Sequence, residues 1–446
     1  MMKTKPTKLL IATLLIFLSA VGVKAQGKSW TLQECINYAL AQNIQVKKAD
    51  LSNERFKLYA EQAQANRFPS LNASVRENMN WSKGFDSYTG TYGSSSGANS
   101  TNYSLSSSVS LFNGQKLTNK IKQAEIDLLS GNFNIETVKE SLGLNILNAY
   151  LQVLYAHENV LNAEKQIEAT TEQLALAQER LNLSVISMSD FLQIKSELAS
   201  EKSTLANAKS QLSMYKVNLM QLMELPVDSS FNISSPDLDS LLVQNKQPDA
   251  QEIYNLALGI KPQIKTAELN KESAAMDVKI AKADALPSLS MDAGLSSGYS
   301  SLLKGDNYAS QLKNKVNPSV GLGLSIPIFQ KKQVKTNIAI AQIGISDAEL
   351  DEINTKNQLR KDIEQACQNV VSAQSEYSAN IEQNKAMNES YQVSTEKFKL
   401  GLMNSVDYLF EKTNLITSDS KLLQSKFNLI FSYKVLDFYK GISLAL

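Results

Sequence analysis

Apolar residues return at every seventh position over a proline-free run from residue 115 to 182. Leu142, Ala149, Ala156, Ala163, Thr170 and Ala177 form one row, and Ile146, Val153, Val160, Ile167, Leu174 and Leu181, each four places later, form the row beside it. Two adjoining rows with this period mark one face of a long helix, with small residues set against larger ones. At 1.5 Å per residue such a helix runs about 100 Å, several times the width of a small domain. No compact core encloses an element of that length, so its partners must be equally long.

The same reading predicts helices over 31–66 and 190–225 and strands over 70–80 and 102–112. Thr31 with Glu34 three places on is a capping box, and Phe68-Pro69 closes the first helix. Leu71, Ala73, Val75 and Met79 then alternate with Asn72, Ser74, Arg76 and Asn78, the period of a strand with unlike faces. Residues 81–101, rich in Gly, Ser and Tyr, read as a long exposed loop. After a turn at 183–189, Phe191, Leu198, Leu205, Leu212 and Leu219 carry the heptad along the returning helix. Residues 227–248 lose the periodicity between prolines and read as a linker.

The order then starts again. A shift of 218 residues lays Phe68-Pro69-Ser70-Leu71 on Leu286-Pro287-Ser288-Leu289. One loop residue later a shift of 217 lays the row Phe191 to Leu219 on Tyr408, Leu415, Leu422, Leu429 and Leu436. The second half therefore has helices over 249–285, 332–399 and 406–440 and strands over 288–299 and 316–328. The chain reads as two tandem repeats, 26–226 and 249–446, each a helix, two strands, a long helix and a further helix.

In the last strand Val320, Leu322, Leu324, Ile326 and Ile328 alternate with Ser319, Gly321, Gly323, Ser325 and Pro327, the pattern of a barrel wall in lipid. About 9 to 11 tilted residues cross a bilayer. Four strands cannot close a membrane barrel, which needs about eight. Open edges are not tolerated in lipid, so several copies must share one barrel. The remaining expectation is then a tube of coiled coils beneath that barrel.

Composition narrows the setting. Residues 1–25 hold Lys3, Lys5, Lys8 and Lys24, no acid, and an apolar run from Leu9 to Ala20, which predicts a secretory signal peptide cleaved before Gln26. No cysteine stands at that new N-terminus, so no lipid anchor is expected. Without those four lysines, 41 basic side chains face 44 acidic ones, which excludes nucleic-acid binding by bulk charge. Beyond the signal no apolar run reaches the ~18 residues of a membrane-spanning helix, leaving strands as the only way across.

Candidate chemistry is sparse. Cys35 and Cys367 lie in helical patterns and read as two buried thiols, with no metal site and no cofactor implied. Gly294-Leu295-Ser296-Ser297-Gly298 matches a hydrolase string, but it lies within an alternating strand, and the chain's one histidine, His157, falls beside the heptad rows as a surface residue. Gly131 and Gly143 inside the long helix suggest close helix approach, and Trp81, Tyr88, Tyr92, Tyr103, Tyr299 and Tyr308 an interfacial aromatic belt.

The layout resembles the TolC-like outer-membrane efflux proteins, the exit ducts of tripartite drug pumps and of one-step (type I) protein secretion. The likeness rests on the duplicated order, on the entries Pro69-Ser70-Leu71 and Pro287-Ser288-Leu289, and on two helix-turn-helix tips. Phe398-Lys399-Leu400-Gly401-Leu402-Met403-Asn404-Ser405-Val406-Asp407 resembles the family's tip pattern. The first tip keeps Ser189, Asp190 and Leu192 but has Ser184 where the family has Gly. The resemblance implies a homotrimer with a 12-stranded barrel in outer-membrane lipid and a 12-helix periplasmic tunnel, docking a periplasmic adaptor and an inner-membrane transporter. It places docking at Leu183, Ser184, Val185, Ser189, Leu400, Gly401, Leu402 and Ser405. Asp190 and Asp407 either cap the returning helices or form an acidic constriction; Phe410 stands where some members carry a second acid. A soluble periplasmic coiled-coil scaffold is the rival from another class, though it has no use for four strands of membrane length. No enzymatic constellation is present.

Overall fold

The computed structural model describes residues 29–236, 238, 247–303 and 305–446. The predicted signal peptide and part of the linker lie outside the described residues. In chain order the elements are β1 (Ser29–Trp30), α1 (Leu32–Gln42), α2 (Ile44–Ala65), β2 (Ser70–Asp86), β3 (Thr91–Phe112), α3 (Lys116–Asn182), α4 (Met188–Leu222), β4 (Asn232–Ile233), α5 (Ala250–Ile260), α6 (Pro262–Ala283), β5 (Ser288–Ser300), α7 (Tyr308–Asn314), β6 (Asn317–Ser325), α8 (Gln333–Lys399) and α9 (Ser405–Tyr439). Helices α1 and α5 are both 11 residues long, α2 and α6 both 22, α3 and α8 both 67, α4 and α9 both 35. The chain divides into two compact units. One holds residues up to Lys47, Val138–Lys261 and Leu359–Leu446; the other holds Lys48–Thr137 and Pro262–Gln358.

The single helix expected over 31–66 is two, broken at Asn43, whose ψ of 134° is extended. Its side chain replaces the lost helical bonds: Oδ1 accepts from the Gln45 amide at 2.8 Å, and Nδ2 donates to the Leu222 carbonyl at 3.0 Å. The helix expected over 249–285 breaks likewise at Lys261, because Pro262 drives the residue before it out of the helical region.

The helical unit has a continuous apolar core in which Cys35, Ile146, Leu147, Val153, Leu219, Met223 and Ile430 are buried. Every member of the row from Leu142 to Ala177 is buried. The linker is not featureless: β4 pairs in parallel with β1, and the Tyr150 hydroxyl meets the Trp30 and Ser234 carbonyls at 3.1 and 2.7 Å. Lys261 is 1% exposed; its ammonium lies 3.3 Å from the Phe438 ring centre and 3.1 Å from Glu140. Desolvation pushes that ammonium below its ordinary pKa, and Glu140 opposes the shift.

The other unit carries an antiparallel sheet in the order β2-β3-β5-β6. The loop expected over 81–101 is mostly sheet. β2 and β3 stay paired from Ser70↔Ser108 to Asp86↔Thr91, leaving a turn that ends at Gly90, φ +66°. Ser, Asn and Gly hide the alternation there, but the backbone pairing needs no alternation. Cross-strand contacts brace the extension: the Trp81 ring covers Gly97, and the Phe85 and Tyr92 rings meet at a tilt of 59° with centres 5.1 Å apart. Expected strand 316–328 ends at Ser325, since Pro327 offers no ladder donor. Between β5 and β6 lies α7, tied back where Gln311 bonds both backbone groups of Ser300 at 2.9 and 3.1 Å.

Paired residues place the two faces. Leu71, Ala73, Val75, Leu105, Val109, Met291, Ala293, Leu295, Val320, Leu322 and Leu324 share one face; Asn72, Ser74, Ser104, Ser106, Ser108, Gly294, Ser296, Ser319, Gly321 and Gly323 share the other. The apolar face is bare: Val320 and Leu322 are 72% and 69% exposed. Gly131 serves close approach, since a Cβ there would meet Asn53 and Phe56; at Gly143 a Cβ would make only ordinary contact with Leu444.

Candidate functional site

Both helix hairpins in the helical unit end in the same turn. At the end of α3, the Ser184 amide donates to the Leu181 carbonyl and the Val185 amide to the Arg180 carbonyl, both at 2.9 Å. At the end of α8, Gly401 donates to Phe398 at 3.1 Å and Leu402 to Lys397 at 2.9 Å. This is the closing pattern that needs a left-handed residue just past the helix. Gly401 adopts it at φ +75° and Ser184 at φ +59°. The chain thus keeps the turn with a serine in a conformation that costs an L-residue roughly 1–2 kcal/mol.

Ser187 and Asn404 are the N-cap residues of the returning helices; Asp190 completes the first cap from the third helical position, while the Asp407 side chain accepts no backbone amide among the described residues. The Ser187 Oγ accepts the Asp190 amide at 3.1 Å, and the Asp190 carboxylate accepts the Ser187 amide at 3.3 Å, a capping box. The Asn404 Oδ1 accepts the Asp407 amide at 2.9 Å, and its Nδ2 donates to the Asp407 carboxylate at 2.9 Å.

Several bonds join one hairpin to the other. The Ser405 hydroxyl, almost fully buried, donates to Asp190 Oδ1 at 2.5 Å. Hydrogen bonds from Ser187 and Ser405 hold the Asp190 carboxyl below its ordinary pKa. Arg180 donates to the Phe398 and Lys399 carbonyls at 3.2 and 2.5 Å, satisfying the negative end of α8. Next along, Tyr408 stacks on Phe398 at 4.6 Å, bonds the Tyr391 hydroxyl at 2.6 Å and accepts from Gln173. Burial and the bond to Tyr391 raise its pKa. A cleft of about 250 Å³ lies here, lined by Leu176, Arg180, Ile186, Phe398 and Tyr408 among others.

Further from the turns, Lys412 on α9 donates to Glu201 on α4 at 2.5 Å and to Thr170 on α3. The two charged side chains are 5% and 6% exposed, and Glu201 Oε2 has no hydrogen-bond partner.

Outward, the tips are bare and apolar. Leu183, Val185, Leu400 and Leu402 are 75%, 64%, 72% and 75% exposed. Ser189, Asp407 and Phe410 are exposed on the first turns of α4 and α9. Among the described residues no cluster could hold a metal ion.

The family model described as outer membrane efflux protein matches residues 35–224 and 253–431. The chain belongs to that family.

Solved structures with the same fold include the open-state MtrE outer membrane channel of Neisseria gonorrhoeae (19% identity, 93% of this chain and 90% of that one, TM-score 0.73) and VceC of Vibrio cholerae (16%, 93% and 96%, 0.73). The CmeC outer membrane channel of Campylobacter jejuni is also similar (17%, 93% and 87%, 0.71). No curated protein matches. The efflux protein is accordingly an outer-membrane channel without an enzymatic step. Of its predicted tip residues, the structure brings Asp190 and Ser405 into contact and leaves Asp407 to its own cap. Arg180, Gln173, Tyr391, Lys412 and Glu201 were not singled out from sequence. The legible signs were a basic residue in the last turn of α3 and a lysine four places after Tyr408, beside the apolar row.

Proposed function

We propose that this chain is the exit duct of a tripartite efflux pump: a homotrimer whose sheets close into one 12-stranded outer-membrane barrel, continued by a periplasmic tunnel of helices. The observation that carries the reading is the sheet, with one face apolar and bare, the other built of Ser, Asn and Gly, and outer edges on β2 and β6 that pair with no strand among the described residues. A soluble scaffold would leave that apolar face in water; a barrel turns it to lipid and pairs its edges with neighbouring copies. Exposed apolar residues at heptad spacing, Leu51 and Leu58 on α2 and Ile343 and Leu350 on α8, supply seams for those neighbours.

In this reading the bare tips around Leu183, Ser184, Val185, Ser189, Leu400, Gly401, Leu402 and Ser405 dock the periplasmic adaptor and, through it, the inner-membrane transporter. Asp407, exposed on the first turn of α9, contributes to an acidic constriction at the closed end, while Asp190 is spent on its cap and on Ser405. The cargo is small molecules, moved by the energised partner. Crosslinking with membrane fractionation tests the reading: a trimer in the outer membrane, cleaved at the 87–90 turn by protease added to intact cells, is expected. A monomer confined to the soluble periplasm would refute it. Crosslinks from cysteines placed at Leu183 and Leu402 are expected to capture the adaptor.

A further inference from the structure

The polar face of the sheet is almost free of charge. From Ser70 to Asn80 on β2, Ser100 to Ser110 on β3, along β5 and along β6, the residues on that face are Ser, Asn and Gly, with two exceptions among the described residues: Arg76 and Asp292. Both are exposed. The Asp292 carboxylate accepts from the Ser290 hydroxyl at 3.1 Å.

Register sets their levels. Asp292 lies opposite Ser108 and Gly321, near where β5 leaves α6. Arg76 lies opposite Asn102, which lies opposite Gly298. Six residues of β5 separate Asp292 from Gly298, about 20 Å measured along the strand at ~3.3 Å per residue.

We infer that Asp292 and Arg76 form two fixed-charge rings of opposite sign in the barrel lumen, acidic on the helix side and basic further out, and that these rings discriminate permeating solutes by charge. The inference rests on the trimeric barrel, which supplies three copies of each residue on an inward polar face. A low-dielectric wall focuses the field of such rings into the pore. An anion arriving from the helix side is repelled at Asp292, and a cation arriving from outside is repelled at Arg76. Neutral and zwitterionic solutes pass with the least hindrance. The two rings in series also make ion flow asymmetric. When the helix side is positive, cations approach the acidic ring first and anions the basic ring first, so both accumulate; the opposite polarity depletes both.

The test is the current–voltage curve of the intact trimer in planar bilayers at about 0.01 M salt, where the screening length is ~30 Å. Asp292→Asn and Arg76→Gln should each reduce the excess of current at helix-side-positive voltage, and the exchange Asp292→Arg with Arg76→Asp should move the asymmetry to the other polarity. Both effects should fade at about 1 M salt, where screening falls to ~3 Å. The tips lie in series but are identical in all variants, so differences between variants report the lumen. Conducting trimers whose asymmetry is the same in wild type and all variants would overturn the inference while leaving the barrel intact. Failure to form membrane-inserted trimers at all would overturn the barrel reading, and this inference with it.

Discussion

Lys412→Ala is the sharpest test of how the two hairpins are held together. In the native chain the Lys412 ammonium and the Glu201 carboxylate meet at 2.5 Å with side chains 5% and 6% exposed. Removing the lysine strands a carboxylate that already has one oxygen without a partner. Breaking a buried pair from one side typically costs about 3–5 kcal/mol, because the surviving charge keeps its desolvation penalty. At about 1.4 kcal/mol per decade this is a rise in local opening of roughly two to three and a half orders of magnitude. Hydrogen–deuterium exchange of the α9 amides around Lys412 reads it directly. Glu201→Ala should act similarly by stranding the ammonium. The double replacement Lys412→Met with Glu201→Leu removes both charges at comparable volume and should restore protection to near the native level or beyond it. If the double variant exchanges as fast as either single one, packing and not charge compensation holds the junction, and the reasoning fails.

Four further outcomes follow from the tips and the core. Ser184→Gly should slow exchange at the end of α3 by about 1 kcal/mol, since glycine adopts φ +59° without penalty; Gly401→Ala should cost a similar amount at the end of α8. Arg180→Ala should raise exchange at the last turn of α8, which loses its donors to the Phe398 and Lys399 carbonyls, and leave the last turn of α3 unchanged. Asp190 has a folded pKa below the ordinary value, so its contribution is present above the unfolded carboxyl pKa of about 3.9 and is lost as pH falls through the folded value. Tip protection should therefore drop on acidification below about pH 4, and Ser405→Ala should weaken that dependence. Tyr150→Phe should lower the thermal midpoint by leaving the Trp30 and Ser234 carbonyls short of a buried donor, at a cost of about 1–2 kcal/mol.

Where the pattern was periodic, the fold could be read directly. The row from Leu142 to Ala177 is buried along its whole length, and the turns fall where the heptads stop. Reading failed where one residue's chemistry overrode a periodic stretch. Asn43 breaks the helix expected over 31–66, because its amide competes for backbone bonds. Pro262 breaks the next one for a steric reason that was visible in the sequence. The extension of β2 and β3 past Asn80 was hidden because Ser and Gly carry no hydropathy signal.

By itself, the amino-acid order determined the long helices, the unlike faces of the strands, the two hairpin tips and the setting beyond the inner membrane. These depend on local spacing, and spacing is a property of the order alone. Only the tertiary structure decided which side chains meet across the hairpins. Arg180 to Phe398, Asp190 to Ser405 and Lys412 to Glu201 join residues far apart in the chain. The register that puts Arg76 and Asp292 on one face was likewise fixed only by pairing between strands. A polar residue in a helix has the same local signature whether it faces water or a distant partner, and only packing separates the two.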